Sequence, residues 1–552
     1  MALTETRPET DAPEAAVAEA TPAPVLERLL STGDHKVIGR LWIGFGALFL
    51  LAGLVVGAVG AFEQADLGSF DIVDDGIEFV QAQSAVRDLI VLGGLIPLAI
   101  GVATMIVPLQ VGASSIAFAR GAAGAFWTWL FCTGVMAASY LMNGGPGGGV
   151  GDAVQLWTLT QIAVIAALVW GLICVATTVM GARATGMRFE WIPASSWGFF
   201  VYAIGGILML PLVAAQLMLG YLDVRFGYLP TQESRLTLLG ALDTLTHAPV
   251  VYWLALPVLG VAVDAIVTHT GVTLRFPKVV LGAIGVFGVL SMAAEVLVWN
   301  GRGRPIAFDN GLLVVATLAA VLPILATLAL AGEALKRGKP AMRTPLVAGL
   351  LSGLLLLAAA AVALLGLVHP IVSFIETAGD TSIDLPDGFA LAGTTFASGI
   401  LGLVVAASVC GAVAAVNQWG HKIWGRQVDG RLGILAALVA ALGGVVWAAS
   451  MVASGFAGQG RDLSALSEAV DGAEAYNAAA GAGMALLAVS GVLLLVSVLL
   501  PSIGLGSQAE PFRGLTLEWL APSPAPLSNF DAAPVVTSPY PALDATDDGG
   551  AQ

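Results

Sequence analysis

Charge is scarce in this chain. Asp, Glu, Lys and Arg make up 11% of its 552 residues and hydrophobic residues 57%, where a soluble domain carries about 25% charged residues. That balance excludes a cytosolic enzyme, a nucleic-acid binder and a disordered protein, and no nucleic-acid partner is expected. Cysteine is nearly absent as well. Cys132, Cys174 and Cys410 lie in separate apolar stretches, too few and too scattered for a disulfide framework or a zinc site. They read as small buried hydrophobes. The N-terminus lacks a basic segment leading into an apolar run, so it does not read as a signal peptide. The net charge of -15 is concentrated at the ends: residues 1–34 hold seven acids and two arginines, and residues 506–552 hold six acids and one arginine. Both ends are rich in Ala, Pro and Ser and read as largely extended or disordered tails.

What remains between them is apolar. A spanning helix needs roughly 20 predominantly apolar residues. Twelve stretches qualify: 38–62, 88–110, 124–144, 154–181, 196–222, 242–267, 279–300, 311–332, 345–369, 388–416, 432–457 and 476–505. Irregular backbone at membrane depth leaves polar groups unpaired, so helices are the economical solution. The 68 glycines and many alanines let such helices approach closely. The expected fold is all-α: an integral membrane bundle of twelve transmembrane helices at 35–505, between an acidic N-tail (1–34) and a C-terminal tail (506–552). With both termini cytoplasmic, 17 of the 23 Lys and Arg residues fall on the tails and even-numbered loops, as the positive-inside rule demands. The opposite loops are acidic, with six acids from Glu63 to Glu78 and four from Glu376 to Asp387. The expected location is the cell inner (plasma) membrane, with membrane lipids around the bundle.

Three motifs are specific. Thr32-Gly33-Asp34-His35-Lys36-Val37-Ile38-Gly39-Arg40 precedes the first span, and Val107-Pro108-Leu109-Gln110-Val111-Gly112-Ala113 closes the second. Leu517-Glu518-Trp519-Leu520-Ala521-Pro522-Ser523-Pro524-Ala525-Pro526 leads to Asn529-Phe530-Asp531 in the C-tail. These runs, with the twelve spans, resemble subunit I of the cytochrome c oxidases, in the haem-copper oxidase family. The resemblance implies a bundle that holds a low-spin haem between histidines of helices 2 and 10. It also implies a high-spin haem on a second helix 10 histidine, and copper on a helix 6 histidine and a helix 7 pair. Imidazole suits both metals.

The chain has five histidines: His35, His247, His269, His369 and His421. None lies between 36 and 246, between 270 and 368, or between 370 and 420, so the resemblance leaves at least five of six ligand positions without histidine. Carried over by the neighbouring motifs, the haem positions fall near Val86 and at Gly399 and Leu401. The copper positions fall at Ala248, Ala294 and Glu295. His247 is one residue early, which is 100° around a helix. The family's proton-path positions become Val250, Ser115 and Thr327, and its pair of propionate-binding arginines becomes Arg461-Asp462, where a carboxylate would repel a propionate.

The reading is a subunit I homologue without cofactors: a scaffold or accessory subunit packed against other respiratory oxidase subunits, and not active by itself. Two alternatives stand beside it. One is an active terminal oxidase reducing O2 to water with proton pumping, which would need haem and copper. The other is a transporter or proton channel on the emptied scaffold. Glu295 reads either as an interfacial carboxylate or as a proton or cation site with His247 and Tyr252, since intramembrane acids are often functional. Tyr252 reads as a core aromatic with one hydrogen bond, His35 as structural, and His369, His421 and Asp264 as interfacial. The emptied core would close through Ala and Gly contacts or hold a lipid or quinone. The residues leave both open.

Overall fold

The structure, a computed structural model, describes residues 29, 32–65, 76–146, 149–227, 243–299, 306–368, 371–372, 391, 393–461, 470–507 and 512–549. Within them, 76–77, 243–244, 293–299, 306–313 and 546–549 are described by backbone alone. Gly33–Gln552 is one compact unit, and of Met1–Thr32 only Leu29 and Thr32 are described.

The described residues form long helices in the expected order. They are α1 (His35–Gln64), α2 (Gly76–Ile90, a π turn Val91–Leu95, then Ile96–Val111), α3 (Ala119–Leu141), α4 (Gly151–Gly181), α5 (Ala194–Phe226) and α6 (Pro257–Thr270). After them come α7 (Pro277–Trp299), α8 (Ile306–Arg337), α9 (Thr344–Leu365), α10 (Phe396–Trp424), α11 (Gly430–Phe456) and α12 (Ala473–Ser502). Among the described residues, eleven segments are long and apolar enough to cross a membrane; α7 contributes a shorter described run, Pro277–Met292.

Local chemistry sets the ends. Asp34 caps α1, accepting from the Lys36 backbone N–H at 2.9 Å, and Asp429 caps α11 through the Arg431 N–H at 2.8 Å; short acceptors at this position satisfy an orphan helix donor. Gly112 closes α2 and Gly425 closes α10 in the left-handed region (φ 74° and 66°), where glycine meets no steric penalty.

Consecutive helices pack side by side, α1 on α2, α3 on α4, α4 on α5, α7 on α8, and α9 through α12 in turn, and α12 returns to α1. Three helices form the interior. The apolar windows of α2, the α6 segment and α10 are 94%, 100% and 94% buried, against 39–61% in the other eight spans. The periphery presents large apolar side chains outward, Phe131 and Leu322 among them. Small residues set the helix spacing. A Cβ at Gly443 on α11 would lie 2.7 Å from the Gly483 carbonyl oxygen of α12, so the two backbones touch there.

Three expectations change. The second span begins a dozen residues earlier than 88, because α2 continues N-terminally through a polar turn carrying Gln81, Gln83, Arg87 and Asp88. The sixth is not one helix from 242: a short helix Asp243–Thr246 is followed by a 3₁₀ segment Val250–Ala255 and then α6. The tenth begins at Phe396, not 388. In the C-tail, residues 512–540 run through turns and bends with a 3₁₀ turn at Leu517–Leu520, a short helix follows at Pro541–Gly549, and the segment is packed onto the bundle, with Leu517, Glu518 and Asn529 buried.

Candidate functional site

The interior helices α2 and α10 carry the positions that the family resemblance assigns to haem; its copper positions fall at Ala248, before the 3₁₀ segment, and at Ala294 and Glu295 on α7. Val86 on α2 rests against α1, its Cγ1 3.2 Å from where a Cβ at Gly57 would be. A Cβ on Gly399 of α10 would lie 2.8 Å from Val452 Cγ2 and 2.9 Å from the Ala448 carbonyl oxygen of α11. The two helices are in backbone contact there, and a longer side chain has no room. One turn on, a Cβ at Gly402 would meet the Trp447 ring at 2.9 Å. Leu401 is buried and faces a cavity beside Trp447. Ala248 is half-buried just before the 3₁₀ segment. The side chains of Ala294 and Glu295 lie outside the described residues. The groups at the described positions are apolar and offer no lone pair to iron or copper, so they do not fit the family's ligand set.

His247 and Tyr252 sit in different surroundings. His247 is exposed, whereas Tyr252 is fully buried. The expected hydrogen bond of Tyr252 is absent: its hydroxyl has no partner among the described residues, and its ring stacks near Phe287 (centroids 6.1 Å, 22° between planes). The neighbouring Trp253 fills space instead. It stacks on Tyr202 of α5 at 4.5 Å and 7°, and its indole N–H donates to the Tyr202 carbonyl at 2.9 Å. The proton-path positions are equally unlike carriers. Val250 is buried, and the buried hydroxyls of Ser115 and Thr327 have no hydrogen-bond partner among the described residues.

Two cavities lie beside the interior helices. One of about 30 Å³ lies between α2, α5, α6 and α10, lined by Leu95, Val102, Phe199, Val258 and Gly411 with Ser408 as a polar group. The other, about 80 Å³, lies where α1, α2, α10, α11 and α12 meet at the end of the bundle opposite the C-terminal segment. Val86, Leu401, Trp447 and Met484 form its apolar side; Gln83, Arg87, Gln459, Arg461 and Asn477 form its polar side.

The buried charged centres are structural in form. Asp88 on α2 is fully buried and accepts from Tyr140 OH at 2.5 Å, Trp157 Nε1 at 3.1 Å and Gln161 Nε2 at 2.8 Å. An acid inside an apolar run was the available signal, but its partners lie on α3 and α4, 52 to 73 residues away. Asp264 is buried and caps α5. Its oxygens accept the backbone N–H of Ala194 at 3.1 Å and of Ser195 at 3.0 Å, and the Ser195 hydroxyl donates to it too. Gln110 of the second motif bridges two carboxylates, donating to Asp264 at 3.3 Å and to Glu518 at 3.0 Å. Glu518 also accepts from Trp419 Nε1 at 3.2 Å. Burial raises the Glu518 pKa against the opposing pull of these donors.

The first and third motifs explain each other. Lys36, almost fully buried, donates to the Pro526 carbonyl at 2.9 Å and to Asn529 Oδ1 at 3.3 Å. Asn529 donates to the Ala113 carbonyl at 2.8 Å. Lys422 reaches the Ala521 carbonyl at 2.6 Å. The C-terminal segment thus supplies the acceptors that two buried ammonium groups require. His421, in the last turn of α10, stacks on Trp519 at 5.4 Å. His269 sits edge-on to Phe512 at 4.6 Å. His35 is buried at the start of α1. These three histidines therefore all lie at the end of the bundle that the C-terminal segment covers, away from the helix midpoints. His369 and Asp462 lie outside the described residues.

Comparison with known proteins gives one answer. The family model for cytochrome c and quinol oxidase polypeptide I matches residues 37–486. The chain is 26% identical over 528 residues to cytochrome c oxidase subunit 1 of Thermostichus vulcanus, covering 92% of this chain and 91% of that protein. It is 25% identical over 540 residues to cytochrome c oxidase subunit 1 of Bacillus subtilis, covering 92% and 81%. A cryo-EM structure of a heme-copper terminal oxidase dimer superposes with a TM-score of 0.59 at 14% identity, over 90% of this chain and 88% of that one, which is a likeness of fold. The matched stretch runs from the first turn of α1 into α12, so this chain belongs to the cytochrome c and quinol oxidase polypeptide I family.

Proposed function

We propose that this family member is a cofactor-free, non-catalytic membrane subunit, a scaffold or accessory protein that packs against other subunits of a respiratory oxidase, with both termini on the cytoplasmic side. The observation that carries the reading is the contact at Gly399. There α10 and α11 meet backbone to backbone at a position where the family places an iron ligand. Helix α10 cannot present an imidazole from this position without moving away from α11. The closure of the core through Gly399, Gly402 and Trp447 supports the same reading, since a porphyrin-sized void would cost stability in proportion to its volume.

The partner half of the proposal rests on the end of the bundle bearing the C-terminal segment. The motif from Leu517 to Asn529 is held by Lys36, Gln110, Trp419 and Lys422 and offers a rigid surface for docking. The test is purification of the tagged chain from its native membranes in mild detergent. Stoichiometric recovery of other oxidase subunits, with no haem or copper attributable to this chain, is the expected result. Haem and copper bound to the isolated chain, with oxygen uptake, would replace this reading by that of an active oxidase.

A further inference from the structure

We propose that Asp264 on α6 and Glu518 in the C-terminal segment share one proton, and that this proton fastens the 3₁₀ turn Leu517–Leu520 to the bundle. The inference does not depend on whether the chain holds a cofactor.

The hydrogen count of the site calls for the proton. The Ser195 hydroxyl has one hydrogen to give, yet it contacts two acceptors, Gln110 Oε1 at 2.8 Å and Asp264 Oδ2. Gln110 Oε1 also takes the Ser196 hydroxyl, at 2.6 Å. If Ser195 donates to Gln110, the hydrogen between Ser195 and Asp264 has to come from a protonated Asp264. If it donates to Asp264 instead, two bare acceptor oxygens face each other at 2.8 Å. Turning the Gln110 amide over removes that conflict and creates another. Its carbonyl then faces Glu518 Oε1 at 3.0 Å and Asp264 Oδ2 at 3.3 Å, and an acid must donate to it. Every fully paired arrangement therefore carries a hydrogen on one of the two acids.

Electrostatics points the same way. Both side chains are buried, and among the described residues neither forms an ion pair with Lys, Arg or His. The donors they meet are neutral: Gln110, Ser195, Trp419 and the Ala194 and Ser195 backbone N–H groups. Two buried carboxylates on one neutral donor repel, and one proton relieves both. Such a pair titrates as a unit.

The surrounding elements bring charge of their own. Helix α2 has no titratable group from Ile96 to Val111. On α6, His269 Nε2 lies 3.1 Å from Gln418 Oε1. On α10, His421 stacks on Trp519 and Lys422 donates to the Ala521 carbonyl. At the start of α1, His35 is buried, Lys36 pairs with Asp34 at 3.3 Å, and Arg40 donates to the Lys36 carbonyl. Before α5, Glu190 pairs with Lys278 at 2.8 Å and lies 3.9 Å from Arg188. Arg343 stands over the Phe512 ring. The segment itself adds Arg513, Tyr540 and Asp544; Tyr540 accepts from the Leu274 N–H and Asp544 from the Ser538 hydroxyl.

Asp264 belongs to the bundle and Glu518 to the segment, so the shared proton lies across their interface. Losing it sets two negative charges there and favours an open turn. Burial raises the docked pKa of Glu518, so the hold is complete below about pH 4.5 and weakens as pH rises through the docked value. Lys36 at Pro526 and Lys422 at Ala521 anchor the rest of the segment, which confines the loosening to the turn.

Two readouts on the full chain in a non-ionic detergent test this. The infrared spectrum at neutral pH should contain the C=O stretch of a neutral carboxylic acid, with the intensity of one acid, that is missing from the Asp264→Asn, Glu518→Gln double variant. A difference of no acid or of two overturns the shared proton. Amide hydrogen exchange in the turn, taken as the ratio of wild type to Glu518→Gln at each pH so that the intrinsic chemistry cancels, should rise several-fold between about pH 4.5 and about pH 8. A flat ratio overturns the fastening role. So does exchange in the turn no faster than in the buried helix α10, which would mean that the turn opens only with the whole bundle.

Discussion

Removing the Asp264 carboxylate should detach the N-terminus of α5 from α6. In the folded chain this carboxylate accepts two backbone N–H groups, from Ala194 and Ser195, which are among the first four donors of α5 and have no partner within the helix. Both residues are buried, so in Asp264→Ala water does not replace the lost acceptor. An unsatisfied buried donor costs about 1–3 kcal/mol and a lost N-cap about 0.5–2 kcal/mol. Against this, the substitution removes one of two carboxylates that share Gln110, which relieves their repulsion and the burial of one charge. The net expectation is a loss of about 2–4 kcal/mol. Asp264→Asn keeps one acceptor oxygen but sets an amide N–H against a backbone donor, and should lose about 1–2 kcal/mol. Glu518→Gln retains acceptors for Gln110 and Trp419 and should change stability by less than about 1 kcal/mol. Reversible unfolding in SDS–detergent mixtures measures all three. A loss below about 1 kcal/mol in Asp264→Ala, or a larger loss in Glu518→Gln than in Asp264→Ala, refutes the capping argument.

Three further outcomes follow from the same geometry. Glu518 has a folded pKa raised above its ordinary 4.5, so its neutral form is the one the fold favours. Its contribution is fully present below about pH 4.5 and is lost as pH rises through the raised folded value; the stability of the wild type should therefore fall over that window relative to Glu518→Gln, and parallel pH curves for the two would count against it. Asn529→Ala removes the amide that joins Ala113 to Lys36, and its backbone φ of 66° disfavours alanine. Limited proteolysis within 512–549 should accelerate at least about tenfold, the scale of a loss of 1.4 kcal/mol or more, and wild-type cleavage rates would show that this contact does not hold the segment. Gly399→His, which puts back a family ligand residue, should destabilise by about 1–3 kcal/mol because its Cβ meets Val452 and the Ala448 carbonyl; a variant of wild-type stability that takes up haem would mean that α10 and α11 separate freely.

Much of the fold was legible because lipid enforces it. Apolar runs, caps such as Asp34 and Asp429, and glycines that end helices all act through neighbours within a few residues. The start of α2 was not legible, since Gln81, Gln83, Arg87 and Asp88 lower the hydropathy of a segment that is nonetheless helical. Nor was the 3₁₀ segment at Val250–Ala255 visible in a sequence whose apolar run continues unbroken. The site was legible in its negatives: the apolar character of Val86, Gly399 and Leu401 is written in the residue types. Its positives depend on contacts across long separations. Asp264 lies near the end of an apolar run, and nothing local shows that it caps a helix that begins 70 residues earlier. Glu518 belongs to a tail whose composition suggests disorder, and only the opposing surface of Gln110 and Trp419 turns it into a buried anchor. Arg87 and Arg461 are separated by most of the chain and line one cavity in the folded bundle.

The central claim is that this family member folds without haem or copper. The most direct measurement is a dithionite-reduced minus oxidised optical spectrum of the purified, helical chain, expressed in a host that supplies haem and copper to oxidases, with iron and copper determined on the same sample. The expected result is no reduced-haem bands and substoichiometric iron and copper in a folded protein. Stoichiometric haem bands with copper would contradict it, and would require the described packing of α10 against α11 at Gly399 to open around a cofactor.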